Sequence, residues 1–219
     1  MAINMEGEGL QLWTPYLYKF HYDFTPYFDQ IYETFKVLSD HWATKTDMTI
    51  VEDGDEAYST VRVGIHDYQL QPHEQPYMRD FHDFLGHRVK WVWDQFGYLG
   101  AESEISKSWF NRHGLGAKTL EHTHNGVELV VASYIKNEPG QGFIEFRDPL
   151  EYHKTGYPYN AEHTIWQPVE AVSGDVLIFP GWLNHRTQEN DVGGERICMT
   201  YNINSRLLKC DVENKFRIH

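Results

Sequence analysis

Cysteine is scarce in this chain, which has only Cys198 and Cys210 among its 219 residues. Two cysteines are too few for a disulfide framework, so we expect both to be reduced thiols in a cytoplasmic protein, or in the host cytoplasm if a phage encodes it. Long apolar runs are also missing, and no stretch approaches the length that spans a bilayer. The first residues lack the basic and apolar regions of a signal peptide. The sequence therefore predicts no membrane partner.

Positive charge is in short supply as well. The chain has 19 Lys and Arg against 32 Asp and Glu, which gives a formal net charge of −13. Such a charge repels phosphate backbones, so we expect no nucleic-acid partner. The aromatic fraction of 15% is unlike that of a disordered chain. The length is typical of a single domain, covering residues 1–219.

Two helices and then a series of short strands follow from the apolar periodicity. Thr25-Pro26 and Pro76 each begin a stretch with apolar residues at helical spacing, and Gly97 ends the second. From residue 105 onward, turn residues separate runs typical of strands, near 105–112, 118–124, 127–136, 142–147, 163–172, 175–180 and 195–204. This order predicts a mainly β fold, a jelly roll (double-stranded β-helix) over 105–204. Residues 1–104 would form an α/β extension whose helices buttress one sheet.

Smaller features complete this prediction. The segment Val127–Ile135 is apolar on both faces apart from two residues, so we expect it to be central in a sheet. A hairpin is possible around Thr49–Val63. Residues 150–162 are rich in Tyr, Pro and Gly, which favours a long surface loop.

His122 and His124 are two residues apart, so both imidazoles point to one face if this segment is a strand. Among 13 histidines such a pair is expected by chance, and alone it would be weak support for a metal site. His185, however, follows directly after a strand-like run, and Arg196 comes eleven residues later. Arginine is well suited to gripping a carboxylate with two parallel hydrogen bonds. The combination indicates a metal ion and an anionic small molecule held side by side.

The strand that begins at Arg196 has an unusual alternation. Its polar row would face one side, and its apolar row the other; the polar row is Arg196, Cys198, Thr200 and Asn202. A strand with apolar neighbours that turns a polar row to one side typically lines a pocket. Cys198 lies in this row, and nothing next to it apart from Arg196 would lower its pKa, so we do not expect it to be a nucleophile.

Seven motifs carry a resemblance to a known family. They are Trp109-Phe-Asn111, Glu121-His-Thr-His-Asn125, Ser133-Tyr-Ile135, Phe146-Arg-Asp-Pro149, Gly174-Asp-Val-Leu-Ile-Phe-Pro180, His185 and Arg196-Ile-Cys-Met-Thr-Tyr-Asn202. In this order the chain resembles the 2-oxoglutarate/Fe(II)-dependent oxygenases of marine phage and bacterial genomes, within the prolyl-hydroxylase-like superfamily. The resemblance covers residues 105–204 and implies Fe(II) as cofactor and 2-oxoglutarate as co-substrate. It further implies His122 and His185 as metal ligands and Arg196 as the clamp for the far carboxylate, with Tyr134, Asn111 and Thr200 as further co-substrate contacts.

The chain departs from the family at position 124, where the superfamily has a carboxylate ligand and this sequence has His124. Three possibilities follow: His124 is itself the third ligand, a nearby acid such as Glu128 or Glu121 replaces it, or water or halide occupies the position. We favour His124, since three-histidine sites are feasible for several divalent metals.

The function implied is hydroxylation of an unidentified substrate with release of succinate and CO2, and no catalytic residues are needed beyond the metal ligands. Two alternatives remain. One is a cupin-like three-histidine metal enzyme that does not use 2-oxoglutarate. The other is a non-catalytic binding module that the metal stabilises.

Overall fold

The computed structural model describes residues 17–38, 51–61, 71–97, 102–151 and 165–206. Within them lie two α-helices and eleven β-strands. The helices are α1 (Phe28–Leu38) and α2 (Arg79–Gln95). The strands are β1 (Tyr18–His21), β2 (Glu52–Asp53), β3 (Ala57–Ser59), β4 (Glu102–His113), β5 (Lys118–Thr119), β6 (Leu129–Lys136), β7 (Ile144–Arg147), β8 (Trp166–Val169), β9 (Asp175–Pro180), β10 (His185–Thr187) and β11 (Arg196–Arg206). Short 3-10 turns at Thr25–Tyr27 and Pro76–Met78 lead into the two helices.

Six strands form the main antiparallel sheet, in the order β1-β9-β6-β11-β4-β3. The central position of β6, between β9 and β11, confirms the expectation for Val127–Ile135. Every residue of β9 and all but the last of β6 are buried, because both faces of the sheet are covered. The two edge strands, β1 and β3, come from the N-terminal part of the chain, so this part contributes strands as well as helices to the fold.

The helices cover one face of the main sheet. Apolar side chains of α1 and α2 form one core cluster with those of β11, which include Ile197, Met199, Tyr201 and Ile203. A second cluster fills the opposite face, where Tyr134 and Phe179 of the main sheet meet Ile144 and Phe146 of β7. These two layers confirm the mainly β prediction and the helices that buttress one sheet.

The second layer consists of two small sheets. One has the order β10-β7-β8, and the other pairs β2 with β5. A single bridge between His122 and His185 joins the segment after β5 to β10. The hairpin expected around Thr49–Val63 is wrong, because β2 pairs with β5 whereas β3 pairs with β4. Strand β10 was not expected from the sequence, and the strand expected over 118–124 is limited to Lys118–Thr119.

Some features of the sequence prediction lie outside the described residues: most of the 150–162 loop, and Cys210. Among the helices that the structure describes, none has the length and apolarity needed to cross a bilayer.

Candidate metal centre

Three histidines from two segments converge between the layers. His122 and His124 lie between β5 and β6, and His185 begins β10. The backbones of His122 and His185 exchange two hydrogen bonds, of 3.0 and 3.1 Å, and the His124 N–H donates to the Gly181 carbonyl at 2.9 Å. The ring centroids are 4.3 to 5.2 Å apart, and one ligand nitrogen from each ring lies within 4.8 Å of the other two. We call this cluster the histidine end of the site.

Hydrogen bonds fix the orientation of all three rings. Nδ1 of His122 lies 2.8 Å from the Leu120 carbonyl, and Nδ1 of His185 lies 2.9 Å from the Leu183 carbonyl. A carbonyl oxygen only accepts, so each Nδ1 carries the proton and each Nε2 keeps its lone pair. Nδ1 of His124 likewise lies 2.7 Å from Oδ1 of Asn202. A metal-binding histidine typically donates its other N–H in this way, which fixes the tautomer and the ring.

The environment of the rings keeps them neutral. Burial lowers the pKa of His124 to about 4, and it also lowers the pKa of His122 and, more strongly, that of His185. Trp109 stacks on the His124 ring at 5.7 Å, and Phe179 meets the His185 ring edge-on at 4.9 Å. Neutral imidazole is the form that binds a metal ion, so these rings need not lose a proton at neutral pH.

The two acids that could have replaced His124 are engaged elsewhere. Glu128 accepts a hydrogen bond from the backbone N–H of Ser205. Glu121 pairs with Arg147 and with the side chain of Asn184. Among the described residues, the group of side chains placed to share one ion contains only the three histidines.

A cavity of about 280 Å³ extends from the histidine end between the two layers. The polar row of β11 lines it, and the apolar row packs under the helices, as the alternation of that strand predicts. The residues of the row are Arg196, Cys198, Thr200 and Asn202. Thr200 hydrogen-bonds to Cys198, and burial raises the pKa of the Cys198 thiol to about 12. Cys198 is therefore a neutral thiol, as expected.

Arg196 lies at the other end of the cavity and is 1% exposed. Its NH1 donates to the carbonyls of Gln141 and Gln188, and its NH2 donates to the hydroxyl of Thr187 at 2.9 Å. Nε and NH2 both reach Nδ1 of His113, at 3.3 and 3.1 Å. His113 is the direct cross-strand neighbour of Arg196 in the sheet, which explains the contact. In this structure the N–H groups of the guanidinium thus donate hydrogen bonds to protein acceptors.

Behind Arg196 lies a buried acid that sequence reasoning missed. Glu52 is 3% exposed and hydrogen-bonds to Nε2 of His113. The hydroxyl of Thr119 also donates to the Glu52 carboxylate, at 3.1 and 3.2 Å. We call Arg196, His113 and Glu52 the arginine end of the site. His113 could have been found, since it shares a strand face with Trp109 and Asn111; Glu52 carries no such signal.

Three donors face the cavity between the two ends. Asn111 accepts from the Ser59 hydroxyl through Oδ1, which leaves its N–H groups for the cavity. Thr187 accepts from the Thr119 backbone and from Arg196, so its own proton is left for a ligand. The hydroxyl of Tyr134 has no hydrogen-bond partner in the part of the chain that the structure describes, and burial raises its pKa, so it stays protonated. Thr187 was also missed, although it lies two residues after His185.

Comparison with known proteins agrees with this arrangement. Residues 107–202 match the family described as "Putative 2OG-Fe(II) oxygenase", where 2OG denotes 2-oxoglutarate. No protein with a curated function matches this chain. The match of the family spans the segment from β4 to β11 that supplies every histidine of the site and Arg196.

Solved structures show the same fold. A prolyl-4-hydroxylase from Pseudomonas putida aligns with a TM-score of 0.55 and 14% identity, over 89% of this chain and 95% of that one. HygX from Streptomyces hygroscopicus, solved with nickel and 2-oxoglutarate bound, aligns with a TM-score of 0.52 and 12% identity, over 89% and 84%.

An oxidoreductase of the 2OG-Fe(II) oxygenase family from Burkholderia pseudomallei aligns over 60% of this chain with a TM-score of 0.45 and 18% identity, and this chain spans only 57% of its length. The similarity to the family of putative 2OG-Fe(II) oxygenases thus covers residues 107–202 of this chain.

Proposed function

We propose that this chain is an Fe(II)- and 2-oxoglutarate-dependent oxygenase that hydroxylates an as yet unidentified substrate. The overall reaction consumes 2-oxoglutarate, O2 and a substrate C–H bond, and it yields succinate, CO2 and the hydroxylated product. The observation that carries the proposal is the histidine end, where three neutral imidazoles present their Nε2 lone pairs to one point.

His122, His124 and His185 would hold the metal. Their donor set fits a divalent ion of the Fe(II) or Zn(II) type, for which imidazole is a common ligand. The engagement of Glu128 and Glu121 with other groups supports His124 as the third ligand. Phe146 and Phe179 pack on His185 and keep bulk water from that side.

2-Oxoglutarate would lie along the cavity, with its far carboxylate toward the arginine end. The hydroxyls of Tyr134 and Thr187 and the amide of Asn111 supply hydrogen-bond donors for an anion there, and Thr200 lines the same wall. Arg196 supplies the positive charge. Because its N–H groups are already bound to protein acceptors, a carboxylate must replace at least one of them, such as Thr187.

A metal and 2-oxoglutarate bound here would supply the oxidising chemistry, the activation of O2 with loss of CO2 from 2-oxoglutarate. The residues of this chain bind and orient. Asn202, Leu120 and Leu183 hold the imidazoles with Nε2 toward the cavity, and the tyrosine, threonine and asparagine hold the co-substrate. No side chain is required to move a proton.

One observation favours a second candidate, a three-histidine metal enzyme that does not use 2-oxoglutarate. The ligand set lacks the carboxylate that is usual for these oxygenases, and Arg196 is saturated by protein acceptors. In this case Arg196 would be structural, and the cavity would take a different ligand.

Succinate formation separates the two candidates. Purified protein with Fe(II), ascorbate, O2 and 2-oxoglutarate is expected to accumulate succinate even without its substrate, through uncoupled turnover. A protein that binds metal but forms no succinate above the metal-free control, and shows no metal-dependent binding of 2-oxoglutarate, would contradict the proposal and favour the second candidate.

The proposed setting is the cytoplasm, of a host cell if the chain is phage-encoded. The free thiol of Cys198 and the need for reduced iron support it. The net charge of −13 supports the absence of a nucleic-acid partner.

A further inference from the structure

The carboxylate that is missing at position 124 has a counterpart at the opposite end of the cavity. We propose that Glu52 is the counter-charge of Arg196, relayed through His113, and that it sets how tightly the site binds 2-oxoglutarate. This inference rests on the proposed function. It makes Glu52 and His113 positioning residues of the co-substrate site.

The protonation of the relay follows from its contacts. A guanidinium only donates, so Nδ1 of His113, which both Nε and NH2 of Arg196 reach, must carry a lone pair. The proton of the neutral ring is then on Nε2, where it is donated to Glu52. The hydroxyl of Thr119 donates to the same carboxylate. The side chain of Glu52 thus accepts hydrogen bonds from both partners, which is the hydrogen-bond pattern of a carboxylate anion.

The charges of the site then balance. Three neutral imidazoles leave a divalent ion with its full double charge, and Arg196 adds one more. 2-Oxoglutarate brings two negative charges, which leaves one positive charge over in a buried cavity. Such an unbalanced charge is costly in a medium of low dielectric constant. Glu52, which is itself buried and lines the cavity, removes it.

In the usual set of two histidines and one carboxylate, the negative charge is on the metal. Here it lies at the arginine end instead. A bound metal would keep its full charge for the keto-acid end of the co-substrate, whereas Glu52 would weaken the attraction of Arg196 for the far carboxylate. Removing the charge of Glu52 should therefore tighten the binding of the dianion rather than weaken it, which is the opposite of what loss of a structural residue would do.

Calorimetric titration of 2-oxoglutarate into the Mn(II)-saturated protein tests this sign. Glu52→Gln keeps the size and the hydrogen-bond acceptor for His113, and it is expected to bind 2-oxoglutarate about tenfold more tightly than the wild type, since it removes one nearby like charge. Asp53→Asn is the matched control, because Asp53 is the next carboxylate in the chain but is 43% exposed and lies near Lys118. It should change the affinity by less than about twofold. Unchanged or weaker binding by Glu52→Gln would overturn the proposal.

Moving one negative charge from the arginine end to the histidine end by substitution gives a second, independent test. His124→Asp adds one negative charge at the metal and is expected to bind 2-oxoglutarate more weakly than the wild type at saturating Mn(II). The double variant Glu52→Gln/His124→Asp restores the net charge and should return to within about threefold of the wild type. If the effects of the two substitutions on affinity share the same sign, Glu52 is not the counter-charge.

The melting temperature of the protein without metal or co-substrate tests this inference independently of the proposed function. In a double-mutant cycle, Glu52→Gln and Arg196→Met should each lower the melting temperature of the metal-free protein by several degrees. The double variant should melt close to the less stable single variant, because the second substitution removes a charge that the first has left unpaired. Additive losses would show that the two charges are not coupled. If no variant and no wild-type protein binds 2-oxoglutarate, the proposed function fails, and this cycle still decides whether Glu52 and Arg196 form a pair.

Discussion

The two ends of the cavity differ in how complete they are without a ligand. At the histidine end, every Nδ1 is tied to an oxygen of the protein and every Nε2 is left for a ligand. At the arginine end, Arg196 already donates hydrogen bonds to acceptors of the protein. The comparison teaches that the proposed metal site is already arranged by the fold, whereas the proposed carboxylate site would have to exchange protein contacts for ligand contacts.

The largest expected effect comes from removing a ligand at the prepared end. His124→Ala and His185→Ala should each reduce the bound metal from about one ion per chain to less than about a tenth, because two imidazoles hold an ion far less well than three. Metal content by mass spectrometry measures this. Glu128→Gln should keep its metal, since Glu128 is bound to the Ser205 backbone.

His87→Ala is the matched control for these variants, because His87 is exposed on α2. If Glu128→Gln strips the metal and His124→Ala does not, the third ligand is Glu128, and the histidine end is not the complete metal site described above.

A smaller effect is expected at the arginine end, on the affinity for 2-oxoglutarate. Arg196→Lys keeps the charge but loses the planar fork, and a lost charge-assisted hydrogen bond in a pocket should weaken 2-oxoglutarate binding by about ten- to a hundredfold. Titration calorimetry on both proteins, with thermal melts to verify folding, gives the answer. Equal affinities would mean that Arg196 is structural and that only one end of the cavity has a role in binding.

Asn202 tests whether the orientation of the rings matters. It accepts the hydrogen bond from Nδ1 of His124, so Asn202→Ala should weaken metal binding by about tenfold while leaving all three ligands in place. Asn204→Ala is a suitable comparison, because Asn204 lies on the same strand but accepts from the backbone of Glu128 instead. Equal metal affinity of Asn202→Ala and the wild type would show that the Nδ1 contacts do not prepare the site.

The smallest effect expected is on stability as a function of pH. Burial lowers the pKa of His82 to about 4, as it does for His124. The unfolded chain therefore takes up protons first on acidification, and the metal-free protein should lose stability as the pH falls from about 6.5 towards 4. Melting temperatures across this range measure it, and His82→Gln should flatten part of the slope. A melting temperature that rises on acidification would contradict the sign of these shifts.

The sequence predicts the histidine end better than the arginine end, for a physical reason. The polar row of β11 follows the alternation of a strand, and the spacing of His122 and His124 is visible in the sequence, although the pair lies after β5 and not on a strand. The two helices and the central position of β6 follow from similar local patterns. Glu52 and His113 meet only through non-local pairing, and a single acid in a polar segment carries no periodic signal.

The errors in the predicted secondary structure have related causes. The hairpin around Thr49–Val63 was inferred from proximity in sequence, but the two short strands there join different sheets. Strand β10 has only three residues, too few to show a pattern of alternation, and it is held by pairing with β7 and by the bridge between His122 and His185.

One spectrum tests the central claim, that a metal and 2-oxoglutarate bind in the same cavity. Under anaerobic conditions, adding 2-oxoglutarate to the Fe(II)-loaded protein should produce a visible charge-transfer band, because the keto acid would chelate the metal. The band should require a higher concentration of 2-oxoglutarate in Arg196→Lys. A protein that holds one Fe(II) per chain yet gives no band at saturating 2-oxoglutarate would contradict the account.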